Sequence, residues 1–364
     1  KYGFQASVQI TASHNSKEYN GMKISRENAL PVGYDSGLRI IERMMNEDEI
    51  IQVKERGSIK KFDVKDDYLA FLNSYKQDYS NLKIAIDCSN GMAALLIKDL
   101  LGNQPDYIFD DLDGTFPNHE ANPLIPENVV DLQNLVKEKK SDIGIIFDGD
   151  ADRVMFVDEK ARFISPDLMI ALMAHYFLKD GKKAKVLQDI RTSKAVGEYI
   201  ESFGSEMHMW RVGRAFAALK LREIDGLFGG ELAGHYYFKD FYYSDSGLLA
   251  CLIILNVLSE MKKEGKTLSE LIDNIRKYES SGEINFRIEQ KKEAMEAVKD
   301  FYFGLKKPTA FFDFDGYRIE YADWWLNIRP SNTEPYLRLL VEASNQGLLN
   351  KKVTELKEII GRFK

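Results

Sequence analysis

Apolar residues fall in short unbroken runs that alternate with stretches of helical period. Strands are predicted at 154–158 and 185–189, and the runs at 83–87 and 142–147 are too short for helices and carry too few polar positions for exposed strands. They predict strands buried on both faces. Between them, 91–101, a segment opening near Pro126, 166–178 and 193–203 predict helices, with proline in a first turn where its missing N–H costs nothing. Strands at 107–110, 207–212 and 226–229 and helices at 214–223 and 246–263 complete the series. Strands alternating with helices predict consecutive α/β units.

The two ends depart from this rhythm. Ahead of Phe62 the pattern predicts a strand at 7–11 and a helix at 36–50. One strand and one helix cannot bury a core. Residues 1–61 are therefore expected to hold a strand with too few partners to form a sheet. On this reading the chain by itself is incomplete and poorly active, and the part before Phe62 is its most mobile. Residues 62–164 and 165–281 are expected to form two α/β domains. The run 265–282, helical between breakers, reads as a linker. Strands at 284–288, 322–328 and 336–341 and helices at 291–301 and 349–363 predict a small α+β domain over 282–364.

Composition narrows the function classes. The chain has 364 residues, more than one ordinary domain holds. Hydrophobic residues make up 44%, enough for every domain to build a core, and the 29% charged residues are well mixed. A net charge of −7 argues against nucleic acid as a partner, since that surface is basic. It leaves room for anionic small molecules, because a local Arg cluster binds phosphate on an acidic protein. Cys88 and Cys251 read as buried thiols of a reducing compartment, not a disulfide. The longest apolar run, 248–258, includes Asn256 and is too short for a bilayer. No membrane partner, no secretory signal and a cytoplasmic location are expected.

Four motifs carry chemistry. In Thr11-Ala-Ser-His-Asn15, followed by Tyr19-Asn-Gly-Met-Lys23, Ser13 leaves a strand on a turn with His14 and Lys23 near enough to activate it. Read alone, this is more often a turn rich in hydrogen bonds than a nucleophile. Asp148-Gly-Asp-Ala-Asp-Arg153 sets three carboxylates at alternate positions after a buried strand. If the loop is extended, all three point one way, and hard oxygens suit Mg²⁺. An EF-hand is the rival, with Glu159 at the twelfth loop position, but Arg153 stands where its glycine is needed. A DxD nucleophile of another phosphatase type is a further rival. Gly229-Gly-Glu-Leu-Ala-Gly-His235 brackets a hydrogen-bond acceptor and donor with glycines, which suits vicinal sugar hydroxyls or a plain turn. Arg329-Pro-Ser-Asn-Thr-Glu-Pro335 gathers one fixed cation and short donors after a strand, as a phosphate clamp does.

Taken in this order, the motifs resemble those of the α-D-phosphohexomutases, the family of phosphoglucomutase and phosphomannomutase. Phe116-Pro-Asn-His119 with Asn122-Pro123 is similar to a further family stretch. The resemblance runs the length of the chain. It implies three-layer α/β domains around a central cleft, the first only a remnant here, plus a C-terminal α+β domain. By resemblance Ser13 is the phosphoserine and, with Asp148, Asp150 and Asp152, holds Mg²⁺. Arg153 lies beside them, Lys23 looks like the general base, and His14 adjoins the serine. Glu231, Ala233, His235 and Arg214 match sugar-binding positions. Arg329, Ser331, Asn332, Thr333 and Arg191 match phosphate-binding ones. Ser16, Ala233 and Arg214 depart from the residues usual there. The implied reaction interconverts hexose 1- and 6-phosphates of glucose or mannose, with a hexose 1,6-bisphosphate as intermediate and activator. Leu232 resembles the glucose/mannose group more than the glucosamine group. A phosphoglucosamine mutase and a non-catalytic sugar-phosphate binder remain alternatives, and the resemblance leaves monomer or homodimer open.

Overall fold

The computed structural model describes residues 1–47, 52–331 and 335–363. Four sheets follow one another along the chain. In the first, β1 (Ala6–Ile10) runs antiparallel to β2 (Met22–Arg26), which pairs in turn with β3 (Leu30–Pro31). The strand expected to be unpaired therefore has a partner. Met22 and Ile24 alternate with Lys23 and Ser25, the period of two that a strand needs. All of β1 is nevertheless exposed. The helix expected at 36–50 is a single π turn, Tyr34–Leu38, followed by Arg39–Asn46. The end of that segment lies outside the described residues.

The second sheet has the order β5-β4-β6-β7-β8, with β4 (Ile84–Asp87), β5 (Asp106–Ile108), β6 (Ile143–Phe147), β7 (Val154–Asp158) and β8 (Phe163–Ile164). Strands β5, β4 and β6 are parallel, and β7 and β8 return antiparallel. The third sheet repeats this plan as β10-β9-β11-β12-β13, from β9 (Lys185–Asp189), β10 (Glu206–Trp210), β11 (Phe228–Gly230), β12 (Tyr236–Phe238) and β13 (Ser244–Asp245). Both are three-layer α/β units. The last sheet is wholly antiparallel, β14-β18-β17-β16-β15, from β14 (Glu279–Arg287), β15 (Ala310–Phe312), β16 (Tyr317–Glu320), β17 (Trp324–Pro330) and β18 (Tyr336–Ala343).

Second and third sheets share one core. Helices Pro166–Phe177 and Gly247–Lys263 supply its centre, with Phe147, Phe156, Val186 and Phe228 from the strands around them. The last sheet builds its own, where Leu326, Ile328, Leu339 and Val341 meet Leu356 and Ile360 of helix Gln346–Gly361. The stretch 265–282 is not a linker. Leu268, Leu271, Ile272 and Ile275 fall at helical spacing and are buried in the shared core, and Thr267 and Glu270 close a capping box at the helix start. Strand β14 begins inside that same stretch. Cys88 and Cys251 are free and buried. Among the described residues no helix is long and apolar enough to cross a membrane.

The last sheet docks on the third through buried polar groups. Ser193 Oγ and Trp325 Nε1 both donate to Glu342 Oε2, at 2.8 and 2.9 Å. Burial, with the Asp167 charge adding to it, pushes the Glu342 carboxyl up from 4.5 to about 8. The folded chain thus keeps a proton that the unfolded chain releases above pH 4.5, so stability falls as pH rises from 4.5 to about 8. Glu342→Gln keeps an acceptor oxygen without the charge. It should raise the melting temperature at pH 8 and leave it nearly unchanged at pH 5. Equal shifts at both pH values in a thermal melt would contradict this account.

Candidate active site

Beyond β1 the chain turns through Thr11–Asn15. Thr11 N–H donates to Gly21 O at 3.0 Å, which extends the β1–β2 pairing by one rung. Ser13 has φ +57, the left-handed region that a side chain enters only when its surroundings hold it there. Two contacts do so. Ser13 N–H donates to Thr11 Oγ1 at 2.9 Å, and Thr11 Oγ1 donates to Asp150 Oδ2 at 2.8 Å. Gly149 lies against the same turn, and a Cβ there would come within 2.4 Å of the Ser13 carbonyl oxygen. Only glycine lets the serine loop and the aspartate loop touch. Ser13 Oγ then faces His14 Nδ1 at 3.2 Å and Arg153 Nη2 at 3.3 Å.

The three aspartates do converge, but not by alternation along an extended loop. Residues 149–152 form a turn with Ala151 at φ +59, and this folds Asp148, Asp150 and Asp152 together. One oxygen from each lies within 4.8 Å of the others. Asp148 Oδ2, Asp150 Oδ1 and Asp152 Oδ1 are buried without a hydrogen-bond partner. Buried acceptors are nearly always satisfied, so orphans pointing together call for a cation. Hard oxygen donors without a thiolate fit a small dication such as magnesium. Burial, then repulsion from Asp152, pushes Asp148 up to about 8.

Lys23 stands against the same group. Its Nζ donates to Asp150 Oδ2 at 2.7 Å and also pairs with Asp152. Burial opposes its charge, but the two carboxylates outweigh burial and raise its pKa. In this arrangement Lys23 is a cation, a state opposed to a general base. His14 is pushed down to about 4, by burial first and then by Arg153. It is neutral at pH 7, so Nδ1 can accept the Ser13 hydroxyl proton.

The Gly-rich loop between β11 and β12 meets the aspartate loop directly. Arg153 and His235 form an isolated antiparallel bridge, and Val154 N–H donates to Gly234 O at 3.2 Å. Arg153 Nε–H donates to His235 Nε2 at 3.0 Å, which leaves the histidine proton on Nδ1, facing Asp245 Oδ2 at 2.8 Å. Arg214 Nε donates to Asp245 Oδ1 at 3.0 Å. Arg214 is thus tied to a carboxylate of its own domain, through a residue that the sequence pattern does not mark. Glu231 Oε1 accepts from Tyr237 OH at 2.8 Å and Gly213 N–H at 3.2 Å, and its carboxyl is raised by burial. Ala233 sits half-buried in the turn.

Arg191 and Arg329 face each other where the third and last domains meet, and Arg211 follows the neighbouring strand β10. Arg191 follows β9 and is held by Asp189, with Nη2 to Oδ2 at 2.8 Å, and stands 3.9 Å from Glu231. Arg329 lies near the end of β17, buried, with Nε unpartnered and Nη1 3.7 Å from Asp315 Oδ1. Burial and the Arg191 charge both lower its pKa. Arg211, one residue past β10, also has a buried, unpartnered Nε, and its guanidinium lies 4.0 Å over the Phe216 ring. Sequence reasoning passed over Arg211, though it directly precedes the Val212-Gly-Arg214 stretch. Ser331 N–H donates to Tyr336 O at 2.8 Å. Asn332 and Thr333 lie outside the described residues.

A serine and a carboxylate cluster on one pair of loops, and crowded guanidinium groups on another, define an enzyme class that moves a phosphoryl group on a small anionic substrate. Comparison with known proteins makes the class specific. Four segments match the phosphoglucomutase/phosphomannomutase family: alpha/beta/alpha domain I at residues 1–50, domain II at 66–161, domain III at 165–278 and the C-terminal domain at 283–359. The chain belongs to that family. It is 37% identical to a phosphomannomutase of Vibrio cholerae, over 99% of this chain and 80% of that protein. It is also 37% identical to a phosphomannomutase of Methanocaldococcus jannaschii, again over 99% and 80%. A crystal structure of a phosphoglucomutase/phosphomannomutase family protein from Burkholderia thailandensis superposes with a TM-score of 0.85. It has 27% identity and covers 98% of this chain and 76% of its own.

Proposed function

We propose that this chain interconverts hexose 1-phosphates and 6-phosphates, with mannose and glucose phosphates as substrates, through a phosphoserine at Ser13. The observation that carries the reading is Ser13 Oγ held beside Arg153, on a loop tied by Thr11 to Asp150. Phospho-Ser13 gives its phosphoryl group to the free sugar hydroxyl. The Oγ–P bond breaks, a sugar O–P bond forms, and the hydroxyl proton leaves. The product is a hexose 1,6-bisphosphate. After the sugar reorients, its other phosphate returns to Ser13 Oγ. Arg153 Nη2 points at the oxygen where charge collects as Oγ leaves. Neutral His14 takes the hydroxyl proton when the serine is rephosphorylated. Glu231 is assigned to the sugar, and His235, whose two ring nitrogens are taken by Arg153 and Asp245, holds Arg153 in place beside it.

Arg191, Arg329, Ser331, Asn332 and Thr333 hold the phosphate that is not reacting, with Arg211 as a further cation. Asp148, Asp150 and Asp152 hold Mg²⁺, which when bound offsets negative charge on the phosphoryl oxygens. Lys23 is assigned the general base, a role open to it only when its ammonium leaves the two aspartates.

The test is a mutase assay with mannose 1-phosphate, glucose 1-phosphate and glucosamine 1-phosphate, each with catalytic bisphosphate, followed by peptide mapping. Turnover of the first two and a phosphate on Ser13 are expected. Phosphate on another residue, or a preference for glucosamine 1-phosphate, would refute the assignment.

A further inference from the structure

Residues 313–318 comprise the hairpin turn after β15 and the first two residues of β16, a segment set against the strand ends that carry Arg191 and Arg211. It grips the neighbours of both. Arg318 Nη1 donates to the carbonyls of Ile190, at 2.9 Å, and Thr192, at 2.7 Å, one on each side of Arg191. The Phe314 ring stacks on Trp210 with centroids 5.3 Å apart, and Asp315 Oδ2 accepts Val212 N–H at 2.8 Å, one on each side of Arg211. The third cation is fixed from the same hairpin. Gly316, at φ +70, packs so close to Arg329 that a Cβ would lie 2.4 Å from the Arg329 Cβ. Arg318 is itself held rigid, fully buried, with Nε on Glu320 Oε1 at 2.6 Å and its guanidinium 3.7 Å over the Trp325 ring.

The Arg191 and Arg329 charges oppose each other, and the hairpin ties the backbone beside Arg191, Arg211 and Arg329 to one element. We propose that the hairpin 313–318 is a positioning element that sets the spacing of Arg191, Arg211 and Arg329. Affinity for the non-reacting phosphate then exists only when the last sheet is docked on the third. A phosphate needs its cations placed to a fraction of an ångström for bidentate contacts, so a spacer has leverage that a surface turn lacks. The clamp holds this phosphate alike in ground and transition states. Its loss therefore raises KM and leaves kcat in place.

This inference rests on the phosphate reading above, and the test separates the two. Calorimetry with glucose 6-phosphate reads binding directly, and mutase turnover is measured apart. Asp315→Ala removes the tie to Val212 and should weaken binding and raise KM about tenfold, with kcat within about twofold of the parent. Asp315→Asn keeps an acceptor oxygen without the charge and should restore both. If Asp315 acted only as a counter-charge to Arg329, Asn and Ala would behave alike. Phe314→Ala, which frees Trp210, should act in the same direction as Asp315→Ala. Melting curves of each variant report whether the docked fold persists. Equal glucose 6-phosphate affinity in the parent and in Asp315→Ala, or Asn behaving as Ala, overturns the inference. Parent-like affinity in Arg329→Lys strikes instead at the phosphate reading.

Discussion

Ser13→Ala should reduce hexose phosphate interconversion by on the order of 10⁵-fold, the scale on which removal of a nucleophile acts. The loss is chemical. Alanine offers no oxygen to carry the phosphoryl group between the two sugar positions, and the neighbouring Ser16 and Thr11 cannot replace it. Ser16 Oγ is engaged by Glu18 at 2.6 Å on an exposed face, and Thr11 Oγ1 is spent on Asp150. The fold should survive, because Ser13 Oγ makes no contact that ties two elements besides Arg153 at 3.3 Å. Sugar phosphate binding should also survive, since the Arg329 group is unaltered. Turnover with bisphosphate activator and intact mass after incubation with it check the claim together. A variant that still becomes phosphorylated and turns over would place the nucleophile elsewhere.

Asp150→Ala should cost about 10³-fold or more in turnover, because a Lewis acid is worth several kcal/mol of transition-state charge stabilisation. Asp150 is the most connected of the three aspartates. It presents an orphan oxygen to the cluster, accepts from Thr11 and pairs with Lys23. Its removal takes one ligand from the cation and unties the serine turn. Excess chelator should bring the parent to a comparable rate, and added Mg²⁺ should restore the parent and not the variant. Full activity of Asp150→Ala in chelator would remove the metal from the reaction. Far-UV circular dichroism should be unchanged, since the aspartate lies in a turn outside the strands β6 and β7.

Strongly apolar runs made much of the fold legible. The strand 154–158 stands where its pattern puts it, because continuous burial leaves no other use for Val, Met and Phe at such density, and 185–189 forms the strand expected there around buried Val186 and Leu187. Two-residue strands such as Leu30–Pro31, Phe163–Ile164 and Ser244–Asp245 are too short to show a period at all. The helix Leu268–Ile275 was readable from its spacing. Its flanking Gly265 and Gly282 suggested a linker only because breakers mark helix ends in packed and unpacked segments alike. The site divides in a similar way. Ser13, the three aspartates and Arg329 lie in dense local motifs. Arg211, Asp245 and Asp315 do not; Asp245 acquires its role from Arg214 and His235, and Asp315 from Val212 and Arg329, residues outside its own motif. Convergence at the aspartates was anticipated from alternation and arises from a turn at Ala151 instead.

The second and third sheets share one core while the last closes around its own, and the first sheet contributes to neither, so two cooperative folding units joined at a polar seam are expected. Damage then sorts by unit. A defect in the shared core would dismantle the serine turn, the aspartates and the Gly-rich loop together, and no amount of substrate could restore them. A defect inside the last core would detach one wall and leave the phosphoserine chemistry assembled. Ligand that binds only the joined state pulls the equilibrium back by mass action. Inherited lesions of the second kind would be leaky, and partly repaired wherever sugar phosphate accumulates upstream of the block they cause.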